Sequence, residues 1–73
     1  MSNFPERLKE VRGINKHTQK QVAQAIGIAE RQYQVYEYGN VDPSYKVIIK
    51  LCRHFNVSAD YLLGLSDVPI SLE

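Results

Sequence analysis

The stretch TQKQVAQAIGIAERQYQVYEYG, residues 18–39, decides the fold. Thr18 with Gln21 makes a capping box, in which each end of the pair satisfies an otherwise orphaned amide. A helix follows from about Gln19 to Ile26, with Val22, Ala23 and Ile26 on its inward face. Gly27 stops it, because only glycine takes the positive φ of a tight turn without strain. The next helix begins after barely two residues and runs to about Tyr38, burying Tyr33 and Tyr36 before Gly39 and Asn40 end it. Two helices joined by one glycine and almost no loop must cross steeply. Small Ala23 sits where they approach most closely, and Val22, Ile26, Ile28, Tyr33 and Tyr36 supply the apolar surface that both bury against a third helix.

Outward from this pair the same helical spacing continues. Upstream, Asn3 and Glu6 cap a first helix that carries Pro5 in its first turn and turns Leu8 and Val11 inward. Gly13 weakens that helix, and Asn15, Lys16 and His17 form a polar connection. Downstream, Asp42-Pro43 offers a capping carboxylate followed by a proline at the first helical position of a fourth helix. Its buried stripe is Val47, Ile48, Leu51, Cys52 and Phe55. Ser58 caps a short fifth helix with Asp60 in its positive first turn, and Tyr61, Leu62 and Leu63 pack back before Gly64. Strand signals are almost absent. The expectation is an all-α fold of five helices in one domain, residues 1–66, followed by a C-terminal tail, 67–73, whose apolar residues lack helical spacing.

Composition agrees. A chain of 73 residues is too short for two cores, and 44% hydrophobic with 23% charged residues suits neither a disordered segment nor a membrane span. The net charge of +1 is unevenly spread. Residues 1–31 hold six Lys and Arg against three Glu, a balance of +3, while the remainder has three basic against five acidic residues, a balance of −2. An anionic partner therefore docks more readily on the N-terminal half. A single cysteine, Cys52, excludes an internal disulfide and reads as a small buried hydrophobe, which with no signal-peptide pattern points to a cytoplasmic setting. No catalytic constellation, phosphate loop or cluster of metal ligands can be assembled, so neither an enzyme, nor a cofactor, nor a bound metal, nor a small-molecule ligand is expected.

The quoted stretch resembles the helix-turn-helix of the phage repressor and Cro-type (Xre) regulators. The flanking RLKEVR, NVDPS and NVSADYLLG are similar to that family's other segments, so the likeness covers about residues 4–66. It implies a lambda-repressor-like domain whose third helix enters the DNA major groove while the second lies across the backbone. On that pattern Glu30, Arg31 and Gln34 match the base-reading positions: Arg31 toward guanine O6 and N7, Gln34 toward adenine N6 and N7, and Glu30 toward cytosine N4. Thr18 and Gln19 match the phosphate-anchoring start of the second helix, with the Gln19 amide left free by the capping box. Asn40 and Lys46 are further backbone candidates, weaker than Gln19, as are Lys16 and Lys20. The competing reading of the third helix is a solvated face on which Glu30 and Gln34 form a local i,i+4 pair. Arg12 and Glu37 match a structural ion pair between first and third helices.

Three residues depart from the family pattern. Ala29 stands where a Ser or Thr usually caps the reading helix, leaving amides for DNA phosphate or water. His17 replaces a leucine and is expected to be half-buried. Val41 and Asp42 replace basic residues, which predicts weak nonspecific binding. The resemblance implies a sequence-specific transcriptional regulator, a repressor, binding double-stranded DNA at a pseudo-palindromic operator as a homodimer. The alternative is a protein-interaction module that keeps the fold, favoured by near-neutral charge, Glu30 on the reading face and the exposed tyrosines Tyr38 and Tyr45.

Overall fold

The computed structural model describes residues 4–68. Five helices follow one another: α1 (Phe4–Ile14), α2 (Gln19–Ile26), α3 (Glu30–Tyr38), α4 (Tyr45–Phe55) and α5 (Ala59–Leu62), with no strand among the described residues. The Asn3 cap and the end of the tail, 69–73, lie outside them. Phe4, Leu8 and Val11 share one face of α1 and are buried. The helix runs through Gly13 to Ile14, and Lys16 then takes a left-handed φ of 58° to turn the chain.

The α2–α3 corner is closed by local chemistry. The Thr18 hydroxyl accepts from the Gln21 amide at 3.0 Å, and the Gln21 side chain accepts from the Thr18 amide at 2.8 Å. At the other end Gly27 sits at φ 80°, and the Gly27 and Ile28 amides return to Gln24 and Ala23 carbonyls at 3.3 and 3.0 Å. This doubled return satisfies carbonyls that a helix end would otherwise orphan. Ala23 is buried within the core cluster. Gly39 repeats the left-handed turn at the end of α3, and a β-carbon there would stand 3.3 Å from Pro5 Cγ of α1.

The fourth helix begins later than Asp42-Pro43 suggests. Ser44 is its cap: the hydroxyl accepts from Val47, and its carbonyl accepts from Ile48 at 3.1 Å. Pro43, with no amide hydrogen to donate, stays in the connecting loop with Asp42. Leu51 and Phe55 are buried, and Val47, Ile48 and Cys52 are half-buried against the same core. Burial pushes the Cys52 thiol up, away from the reactive thiolate. Ser58 caps α5 through the Tyr61 amide at 3.1 Å, and Leu62 plugs the core.

Arg7 is the structural residue that local patterning leaves unmarked. From α1 its Nη1 donates to the Tyr61 and Ser66 carbonyls at 3.1 and 3.3 Å, its Nη2 meets Asp67 at 3.3 Å, and the guanidinium lies 4.2 Å from the centroid of the Tyr61 ring. The start of the tail is thereby held against α1.

Candidate nucleic-acid interface

Glu37, on the inward face of α3, is 1% exposed. An isolated carboxylate in such a place costs several kcal/mol, so it must be matched. It is matched four times. Oε2 accepts from Arg12 Nε and from the Tyr33 hydroxyl, both at 2.5 Å, and Oε1 accepts from Arg12 Nη2 at 3.1 Å and Gln19 Nε2 at 3.0 Å. Burial pushes the carboxyl upward, but the hydrogen bonds from Arg12, Tyr33 and Gln19 together outweigh it and hold the group below its ordinary value. The same neighbourhood, burial first and the adjoining carboxylate second, drives the Tyr33 hydroxyl far above its usual range. Tyr33 therefore stays a donor.

This hub changes the reading of Gln19. Its amide is half-buried and engaged at both ends: Nε2 donates to Glu37, and Oε1 accepts from Gln34 Nε2 at 3.2 Å. The expectation of a free amide is corrected, because the capping box occupies Thr18 and Gln21 but leaves Gln19 beside a carboxylate that needs another donor. Glu37 takes one of the two hydrogens of Gln19 Nε2. Gln34 is half-buried and tied to α2, so the local Glu30–Gln34 pair does not form.

Around this fixed pair stand side chains with nothing to hold them. Glu30 and Arg31 are exposed on the first turn of α3, and among the described residues neither has a side-chain partner. Ala29 caps the helix with no side-chain bond. Asn40 and Lys46 are exposed beyond the end of α3, in the loop and in the first turn of α4, likewise without side-chain partners among the described residues. The surface thus combines a hydrogen-bonded amide pair, Gln19 and Gln34, with Glu30 and Arg31, which have no side-chain partner among the described residues.

His17 is half-buried, and its Nδ1 lies 3.2 Å from His54 Nε2 of α4, with ring centroids 5.1 Å apart. Burial first, then the neighbouring His17, lowers His54 below its ordinary value. The two histidines lie 37 positions apart, and no local pattern in the sequence marks them as partners. No group of three or more metal-ligating side chains is present among the described residues. No helix there is long and apolar enough to cross a membrane.

A family model described as a helix-turn-helix domain matches residues 6–68. The chain belongs to the helix-turn-helix family. The domain is 41% identical over 66 residues to the HTH-type transcriptional regulator YobD of Bacillus subtilis (strain 168), spanning 90% of this chain and 59% of the relative. It is 40% identical over 63 residues to ImmR of the same organism, spanning 86% and 50%. A prophage-derived regulator there, YonR, is 38% identical over 70 residues, spanning 96% and 65%. The domain thus spans about half to two thirds of these relatives. A transcriptional regulator from Listeria innocua superposes with a TM-score of 0.82 at 25% identity, over 88% of this chain and 60% of that one.

Proposed function

We propose that this helix-turn-helix domain is the sequence-specific DNA-binding part of a cytoplasmic transcriptional repressor. It binds a pseudo-palindromic operator as a homodimer, with α3 of each subunit in the major groove and half-site centres about 34 Å apart. The observation that carries this reading is the face at the start of α3, where Arg31 and Glu30 stand free beside the anchored Gln34. Arg31 forks onto guanine, Gln34 takes adenine, and Glu30 accepts from cytosine. Thr18 and Gln19 at the start of α2, with Asn40 and Lys46, meet phosphates that fix the register. The Arg12–Glu37 pair holds the two helices in place and does not touch DNA. Selection of bound sites from a random duplex pool, followed by sequencing, tests the reading. Enrichment of one palindromic motif is the expected result. Binding that enriches no motif would transfer the function to the exposed tyrosines, Tyr38 at 60% and Tyr45 at 71% exposure, as a protein-docking surface.

A further inference from the structure

We infer that Glu37 acts as a positioning residue for base recognition: through Gln19 it fixes the orientation of the Gln34 amide, and so the order of donor and acceptor that α3 presents to a base. The inference rests on the DNA-reading role proposed above. Its basis is the direction in which each hydrogen bond of one chain must run.

A guanidinium only donates and an ionised carboxylate only accepts. Arg12 donates twice to Glu37, so whichever end of the Gln19 amide faces the carboxylate has to be nitrogen. That choice puts Gln19 Oε1 at the other end, where it can only accept. The Gln34 atom facing it, 3.2 Å away, must again be nitrogen. Two links of one-way chemistry thus carry the polarity of a buried ion pair to a residue on the reading helix. An unrestrained glutamine exchanges its oxygen and nitrogen by a half-turn of its last torsion, and each order suits a different base edge. Adenine offers a donor at N6 and an acceptor at N7, so it demands one acceptor and one donor in sequence, whereas guanine offers two acceptors. A Gln34 amide locked with one N–H toward Gln19 keeps Oε1 and its remaining N–H in a single order. Arg31, with five donors and no partner among the described residues, has no such ambiguity to resolve.

The substitution that isolates the relay is Gln19→Lys. A lysine still donates to Glu37 and still attracts phosphate, but it offers Gln34 no acceptor. Gln19→Ala removes both links and serves as the second variant. The first measurement needs no DNA: the side-chain amide resonances of Gln34 in 15N-labelled protein. In the parent they are expected to be dispersed and slow to exchange, and in both variants to collapse toward free-glutamine positions. The second measurement compares binding to the selected operator with its single-base variants. At the base pair whose preference disappears in Gln34→Ala, the parent should discriminate by about fivefold or more. Gln19→Lys and Gln19→Ala should each fall to about twofold or less there, with preference retained at the pair read by Arg31. A double variant of Gln19 and Gln34 should lose no further selectivity at that pair. Unchanged Gln34 resonances, or full discrimination retained in Gln19→Lys, would overturn the relay. A parent protein that enriches no motif would instead overturn the DNA reading, and the amide resonances alone would then decide whether the relay exists.

Discussion

At the C-terminal end of α3 the Glu37 carboxylate accepts four hydrogen bonds in a site closed to solvent, whereas at the N-terminal end Ala29 supplies no cap and Glu30 and Arg31 have no side-chain partner among the described residues. One helix of nine residues therefore carries two different kinds of design. Where side chains are fully matched within the chain, they fix geometry. Where they are unmatched, binding free energy remains to be gained from outside. The Gln19–Gln34 amide pair is the boundary between the two, since it is held from the buried side and faces the open one.

The largest effect that tests this division is expected at the buried end. Glu37→Ala takes the acceptor from Arg12 Nε and Nη2, the Tyr33 hydroxyl and Gln19 Nε2, leaving Arg12 only the His17 carbonyl, and should destabilise the fold by about 3–5 kcal/mol in a denaturant titration. Glu30→Ala should stay within about 0.5 kcal/mol of the parent. A double-mutant cycle on Arg12 and Glu37 that showed no coupling would dissolve the contrast. The pH dependence has a definite sign. Because Glu37 is held below its ordinary value of 4.5, its stabilisation is complete above that pH and is lost as the pH falls through the folded-state value. His54 acts earlier: held below its ordinary 6.5, it favours the neutral form in the fold, so acidification below pH 6.5 costs stability, and His54→Leu should remove that portion of the loss.

At the open end the expected loss is in binding alone. Arg31→Ala should weaken the selected operator by about 1–3 kcal/mol and relax preference at one base position per half-site, with an unchanged melting midpoint. A fall in stability of similar size would mean that Arg31 belongs to the matched half. Lys46→Ala should weaken all duplexes alike and lower the salt slope by about one.

Ala29→Ser is a smaller and opposite change. Its hydroxyl can take an orphan amide of α3, stabilising the free domain by about 0.5–2 kcal/mol. The smallest effect lies outside both ends: a β-carbon at Gly13 would meet nothing within 4 Å, and Gly13→Ala should add about 0.5–1 kcal/mol by favouring the helical backbone of α1. A loss at Gly13, measured by thermal unfolding, would show that the glycine is needed for the turn that follows.

The helices were legible because their signals are local. Thr18, Gln21, Gly27 and Gly39 bound α2 and α3 through contacts a few residues apart, and each acts as its residue type predicts. The start of α4 is ambiguous in the sequence, because Asp42 and Ser44 are both capping residues two positions apart and nothing nearby ranks them. The site was less legible. The Gln19–Glu37 bond spans 18 residues, the Gln34–Gln19 bond 15 and the His17–His54 contact 37, and side-chain polarity alone does not say which distant partners meet. One signal was available: Tyr33 and Glu37 lie four apart on the buried face, where a hydroxyl donor beside a carboxylate marks a site that gathers further donors.

The clasp made by Arg7 bears on the order in which the molecule comes together. Four residues make too short a helix to persist on nucleation and propagation alone, so α5 exists only while Leu62 is seated and Arg7 holds the Tyr61 carbonyl. The two residues of that bond are 54 positions apart, which makes this the contact with the greatest chain-closure entropy among the helix-to-helix bonds described. Docking of α5 is accordingly expected late in folding and its release early in opening, and amide hydrogen exchange checks this: the Leu62 and Leu63 amides should exchange with solvent faster than the buried amides of α2 and α3.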